Sequence, residues 1–272
     1  MANVCVITGG GSGIGLETAK NISKEKILVL AGNEVETLEN AVQILRTRGY
    51  TVFAKYCDVF NPNSVNELAE FARGLGKVKQ VIHTMELTAA ANKIEWILQY
   101  NILSTAYINR VFSKAMQTGG VIVDLGSYAA YEPAVQDMPS KVYALLETDG
   151  ETFWQKMLKK VHSLKDESQQ KDLAYALSKH FVLWYAKKWA VDLADKGIRV
   201  LTVSPGLLEV EGAEESAEAN AEETSTPQTR LGKPAEVGYL LATVADERNG
   251  FLTGTDILCD GGMTARKCDF KK

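Results

Sequence analysis

Tyr175 and Lys179 stand four residues apart in the run Tyr-Ala-Leu-Ser-Lys. On a helix that spacing puts both side chains on one face, so an ammonium comes to lie beside a phenol. An unperturbed phenol titrates near ~10, too high to act as a base at neutral pH. Lowering it by ~3 units needs about 4 kcal/mol of interaction, which a neighbouring cation helps to supply. The pair therefore reads as a group able to exchange protons. Alone, a Tyr-x-x-x-Lys spacing also suits a helix that merely packs or faces water. Its context carries more weight: residues 190–206 read as the rest of a helix, a turn, a buried strand and a Pro205-Gly206 loop.

A second cluster, Thr-Gly-Gly-Gly-Ser-Gly-Ile-Gly at residues 8–15, includes Gly9, Ser12, Gly13, Ile14 and Gly15. It sits where a first apolar strand hands over to a first helix. Glycine lets the chain visit backbone angles closed to other residues and lets it approach a pyrophosphate closely. The helix start adds free N–H groups and a positive dipole end. The spacing is TGxxxGxG, not GxGxxG, and a purely structural turn is the competing reading. Taken together, the two clusters point to hydride and proton transfer between a nicotinamide dinucleotide and a carbonyl or alcohol.

The end of the second strand, Gly32-Asn33-Glu34, bears on which dinucleotide fits. A carboxylate there grips a ribose 2′-hydroxyl and an arginine pairs with a 2′-phosphate. Gly32 lacks the carboxylate, no arginine replaces it and Glu34 is close; NAD(P)(H) is expected, with NADP(H) slightly favoured. Asp58-Val59 ends the third strand, where it can meet an adenine edge or serve as a helix cap.

These groups need a rigid frame. Apolar runs at 4–8, 27–31, 51–55, 80–84, 121–125 and 199–204 read as strands, with a last one at Asp256–Cys259. Several are too uniformly apolar to face water on either side, as in parallel sheets covered by helices. Asn61-Pro62 and Lys233-Pro234-Ala235-Glu236 mark helix starts. The expected fold is α/β, a single-domain doubly wound parallel sheet, Rossmann-like, over residues 1–272. Two stretches break the alternation. Residues 128–172 are too long for a strand-to-helix link, so a helical insertion is expected there. Within it Phe153, Trp154, Met157, Leu158, Val161 and Leu164 have helical spacing. Residues 207–229 carry Glu209, Glu211, Glu214, Glu215, Glu218, Glu222 and Glu223 without Lys or Arg, which reads as a solvated loop or a mobile substrate lid.

At 272 residues with 46% hydrophobic and 24% charged residues, the composition is that of an ordinary globular protein. A net charge of −4 disfavours sequence-independent nucleic-acid binding. Neither a signal peptide nor an apolar run of ~18 residues is expected. Cys5, Cys57, Cys259 and Cys268 lack metal-ligand spacing, so reduced thiols, a cytoplasmic setting and no metal site follow.

Thr8–Gly15 as TGxxxGIG, Asp58-Val59, Asn101 in a helix, Ser127 after the fifth strand, Tyr175-x-x-x-Lys179, Pro205-Gly206 and Asp260-Gly261-Gly262 together resemble the short-chain dehydrogenase/reductase superfamily over essentially the whole chain. The resemblance implies Tyr175 as acid/base and Ser127 as hydrogen-bond donor to the reacting oxygen. It implies that Lys179 binds the nicotinamide ribose and depresses the Tyr175 pKa. Asn101 is to hold a water on a proton path, and Thr84, Pro205 and Gly206 are to border the cofactor. The long segment before Tyr175 resembles the 3α-hydroxysteroid dehydrogenase/carbonyl reductase-like subgroup. That implies a secondary alcohol/ketone interconversion on an apolar, steroid-like or cyclic substrate, in a homodimer or homotetramer. The acidic stretch disfavours coenzyme A thioesters.

The chain departs from the family at His83-Thr84-Met85-Glu86, where the pattern has Asn-Asn-Ala-Gly, and at Val210, where it has threonine. Glu86 is placed to crowd or repel the cofactor, and His83 reads as a satisfied strand-end histidine. The alternative reading is a dinucleotide-binding sensor or scaffold without catalysis, and the amphipathic insertion helix could serve as an interaction module under either.

Overall fold

The computed structural model describes residues 1–90, 93–209 and 226–266. Val210, Cys268 and the glutamates from Glu211 to Glu223 lie outside the described residues, so the expectations placed on them are not addressed by the structure. In chain order the elements are β1 (Asn3–Thr8), α1 (Gly13–Ala19), β2 (Ile27–Gly32), α2 (Val35–Thr47), β3 (Thr51–Tyr56), α3 (Pro62–Leu75), β4 (Lys77–His83) and α4 (Ile94–Ala115). They continue with β5 (Val121–Leu125), α5 (Pro133–Gln136), α6 (Ser140–Thr148), α7 (Gly150–Val161), α8 (Glu167–Asp192), β6 (Arg199–Pro205), α9 (Pro234–Val244), β7 (Asp256–Cys259) and α10 (Met263–Arg266).

The seven strands form one parallel sheet in the order β3-β2-β1-β4-β5-β6-β7. Its central strands are buried along most of their length because both faces carry helices. One apolar layer packs the sheet against α1, α2 and α9 through residues such as Ile7, Leu30, Leu38 and Leu241. The other packs it against α3, α4 and α8 through Val6, Leu68, Ile108 and Ala186. Chain progression reverses between β1 and β4. In open parallel sheets that reversal opens a crevice at the carboxyl ends of the two strands.

Local signals agree with the elements. Asn61 caps α3, its side chain accepting Asn63 N–H at 2.9 Å ahead of Pro62. Glu236 in the first turn of α9 accepts the Lys233 N–H at 2.8 Å. β4 begins at Lys77, earlier than its apolar run, because Lys77 and Lys79 alternate with Val78 and point away from the core. Between β5 and α8 the chain makes a 3₁₀ turn at Tyr128–Tyr131 and three helices. Phe153, Met157 and Val161 of α7 are fully buried in a third cluster with Tyr143, Phe181 and Tyr185. The apolar face of α7 is therefore packed against α6 and α8. Trp184, Tyr185 and Trp189 belong to the same aromatic packing. The clamp fixes the length of α8 that carries Tyr175 and Lys179.

Candidate active site

The glycine turn leaves β1 at the crevice and borders a cleft of about 350 Å³ with Gly32, Asn33, Thr84 and Glu86. Gly9 and Gly13 adopt φ of 70° and 48°, the left-handed region that glycine enters without penalty. A Cβ on Gly9 would come 2.7 Å from Thr84 Oγ1, and one on Gly15 would collide with the Gly9 carbonyl oxygen. A Cβ on Gly13 would meet nothing and stand in the open cleft. The turn is thus pressed against the end of β4 on one side and left bare on the other. Ser12 is exposed and Ile14 borders both this cleft and the next one. Glu34 lies at the far end with its carboxylate accepting the Thr37 hydroxyl at 3.0 Å. A bare backbone cradle at a switch point fits a dinucleotide.

A second cleft of about 750 Å³ continues from the first past Ser127, Tyr175, Pro205 and Gly206. Here the structure brings together Tyr175, Lys179 and Ser127. The phenol donates to Glu86 Oε2 at 3.1 Å, and the Ser127 hydroxyl borders the same cleft. Lys179 Nζ lies 2.5 Å from the same Oε2 and donates to the Leu125 carbonyl at 2.8 Å. Ser127 also caps the 3₁₀ turn, accepting Ala129 N–H at 3.2 Å. The expected depression of the phenol is corrected by this geometry. Burial first, then the Glu86 carboxylate, push Tyr175 well above its ordinary value, and the Ser127 hydroxyl only opposes this. The Lys179 charge is spent on Glu86. Glu86 itself turns onto the lysine.

Asn101 holds the segment that follows Glu86. Its Oδ1 accepts Leu87 N–H at 2.8 Å, and its Nδ2 donates to Leu87 O and to Ser178 Oγ, both at 3.0 Å. The amide clamps the backbone after Glu86. Asp58 accepts Phe60 N–H at 3.0 Å in a local turn, and Val59 is buried; neither lines the glycine cleft. Thr84 lines it, with its hydroxyl donated to Thr8 O at 2.7 Å. His83 is satisfied as expected, with Nδ1 2.7 Å from Thr8 Oγ1 and Nε2 3.2 Å from Ser104 Oγ. Burial first and the Lys179 charge second lower its pKa to about 3, so it is neutral. Gly206 packs on Asp260, and Asp260 accepts Gly262 N–H and Thr264 N–H. Cys5 and Cys57 are free and buried, their thiols pushed up to about 12 and about 11 mainly by burial. Among the described residues no His/Cys/Asp/Glu group could hold a metal ion, and no helix is long and apolar enough to cross a membrane.

Sequence reasoning missed the Leu87 clamp and the Glu86 contacts. A carboxylate at a glycine position was the one available signal.

A doubly wound parallel sheet with its glycine turn at the switch point defines a Rossmann-type fold. Residues 3–139 match the family pattern described as short chain dehydrogenase, and residues 159–264 match one described as Enoyl-(Acyl carrier protein) reductase. The chain belongs to the short-chain dehydrogenase/reductase family of oxidoreductases, whose members are generally NAD(P)-dependent. It is 27% identical over 271 residues to the short-chain dehydrogenase/reductase bsc3 of Alternaria brassicicola, covering 97% of both chains. It is 24% identical to a cyclohexanol dehydrogenase of an Acinetobacter species, covering 97% of this chain and 95% of that one. A short-chain dehydrogenase/reductase of Serratia marcescens shares the fold, with a TM-score of 0.76 at 19% identity over 96% of this chain and 98% of that one.

Proposed function

We propose that the protein interconverts a secondary alcohol and a ketone with NAD(P)(H), on an apolar cyclic or steroid-like substrate. The observation that carries this reading is the convergence of the Tyr175 and Ser127 hydroxyls and the Lys179 ammonium where the two clefts meet. When bound, the dinucleotide supplies or accepts the hydride. Tyr175 is the acid/base at the substrate oxygen, and Ser127 donates a hydrogen bond that stabilises negative charge growing there. Lys179 has a donor left beyond Leu125 O and Glu86 for the nicotinamide ribose. Asn101 serves as the brace of the loop that carries Glu86. Gly9, Ser12, Gly13, Ile14 and Gly15 hold the pyrophosphate, with Gly32 and Asn33 at the adenosine end, Asp58 and Val59 beyond them, and Thr84, Pro205 and Gly206 at the nicotinamide end.

The substrate class rests on the size and lining of the second cleft. About 750 Å³ is within the range of small-molecule sites, and Ile14, Leu207 and Leu208 give it an apolar side. A likeness to a cyclohexanol dehydrogenase is in keeping with a cyclic substrate. The stretch 128–172 is proposed to be a subgroup-specific insertion, and 207–229 a substrate loop. The 3α-hydroxysteroid dehydrogenase/carbonyl reductase-like subgroup, a homodimer or homotetramer and a cytoplasmic location complete the proposal.

The test is nicotinamide absorbance across a panel of ketones, cyclic alcohols and acyl thioesters, with Tyr175→Phe as control. Turnover of a ketone or alcohol that falls ~10³-fold in Tyr175→Phe supports the reading. Preference for acyl thioesters overturns the substrate class. Tight dinucleotide binding with no turnover of any carbonyl favours the sensor or scaffold instead.

A further inference from the structure

Glu86 stands where the two clefts join and lines both. A single carboxylate oxygen, Oε2, meets the Lys179 ammonium at 2.5 Å and accepts the Tyr175 hydroxyl at 3.1 Å. The lysine side chain is 3% exposed and the Glu86 side chain 21%, so the carboxylate alone of the two has a route to water. An ammonium already neutralised by a carboxylate has little charge left to draw the phenol toward phenolate. Burial and Glu86 hold that phenol in its protonated form. To take a proton from an alcohol, Tyr175 must first pass on its own, and the atom accepting its hydrogen bond is Glu86 Oε2.

Resting on the oxidoreductase reading above, we propose that Glu86 is a positioning residue that receives the phenolic proton of Tyr175 and makes the site a carboxylate-backed acid/base. In alcohol oxidation the substrate hydroxyl proton moves to the Tyr175 oxygen while the phenol's own proton moves to Glu86. The carbinol C–H electron pair leaves as hydride to the oxidised nicotinamide dinucleotide, and the C=O bond forms. One hydride and one proton have then left the alcohol, and the proton goes from Glu86 to solvent. Reduction runs the same steps backwards. Lys179 and the Asn101 clamp on Leu87 keep the carboxylate in place.

The ionisable groups around this relay are Tyr175 and Lys179 from α8 and Tyr128 after β5. Glu167, Lys171 and Asp172 on the first turns of α8 border the same cleft, and His83 and Asp124 feel the Lys179 charge. With Glu86 as acceptor, alcohol oxidation does not wait on ionisation of Tyr175, so its kcat/KM is expected to be level through neutral pH, and kcat/KM for ketone reduction to decline there with unit slope. Glu86→Gln leaves oxidation waiting on ionisation of Tyr175. Oxidation then rises with unit slope through neutral pH, and reduction becomes level.

The experiment measures kcat/KM against pH in both directions for wild type, Glu86→Gln and Glu86→Asp. The expected result is the exchange of slopes in Glu86→Gln, a fall in oxidation of roughly 10²-fold at pH 7, and wild-type slopes in Glu86→Asp. A Glu86→Gln enzyme with unchanged slopes and only a changed magnitude overturns the proposal and leaves Glu86 as a counter-ion to Lys179. The second measurement needs no substrate: the ultraviolet phenolate titration of Tyr175, read as a difference from Tyr175→Phe. Glu86→Gln is expected to bring that titration to lower pH, and an unchanged titration overturns the contact itself. Absence of turnover on every alcohol and ketone, with the titration shifted, sinks the oxidoreductase reading and the relay that depends on it.

Discussion

Two turns face each other across the crevice, one after β1 and one after β4, and they are built on opposite principles. The first is bare backbone: Gly9 and Gly13 in left-handed conformations, and Gly15 in contact with the Gly9 carbonyl. The second carries Thr84, Met85 and Glu86, with side chains turned into the cleft. The first keeps to the family pattern and the second departs from it. They are not independent, since the crowding that requires glycine at 9 and 15 comes partly from Thr84 Oγ1. At 9 and 15 a turn made of backbone tolerates no added atom. A turn made of side chains can change its chemistry without changing its path.

Gly15→Ala breaks the comparison most severely. Its methyl group would overlap the Gly9 carbonyl oxygen, which is main chain and has nowhere to go. The expected loss is about 3 kcal/mol of stability, read by denaturant unfolding, together with loss of dinucleotide binding. Retained binding would show that the turn is not close-packed.

His83→Asn probes the hydrogen bond that ties the two turns, between the end of β4 and Thr8. The folded-state pKa of His83 is lowered from 6.5 to about 3, so below pH 6.5 the unfolded chain binds the extra proton. Stability is fully present above pH 6.5 and is lost as pH falls toward about 3. At pH 5 the loss relative to pH 7 is about 2 kcal/mol. Melting curves of His83→Asn are expected to lack this acid slope; an identical slope would assign it to other groups.

Asn101→Ala removes the clamp on Leu87 and leaves the second turn without its brace. About 1–2 kcal/mol of stability is expected to go. Amide exchange at Leu87 should quicken while that of the glycine turn stays unchanged. Equal quickening in both turns would mean that they move as one body.

The smallest effect concerns the far end of the cleft. Replacing Glu34 by Gln removes the acid held by Thr37. NADP(H) affinity is expected to rise by about 3-fold relative to NAD(H), since the site is exposed and its charge is screened. Titration calorimetry with both dinucleotides reads the ratio, and no change would move the 2′-phosphate away from Glu34.

Much of this arrangement was legible in the residues. Runs such as Val4 to Ile7 and Val121 to Leu125 are buried on both faces, so an unbroken run of buried residues marks each as an interior strand. Most strands were read to within one residue; β4 was read three residues short at its start, because Lys77 and Lys79 hide a strand whose lower end reaches the surface. Tyr175, Lys179 and Ser127 meet as expected. The local partners of Asn101 and Asp58 were not legible, because an amide or a carboxylate takes the nearest unpaired backbone group, Leu87 or Phe60, and pattern alone does not reveal which one that is.

The sequence by itself determined the sheet, the glycine turn and the shared face of Tyr175 and Lys179. Each depends on burial or on spacing within a few residues, and both repeat along the chain. Only the tertiary structure decided that Glu86, far from α8 in sequence, rests its carboxylate on that pair. That contact depends on how two layers of packed helices bring the end of β4 beside α8, and no local period encodes such a distance.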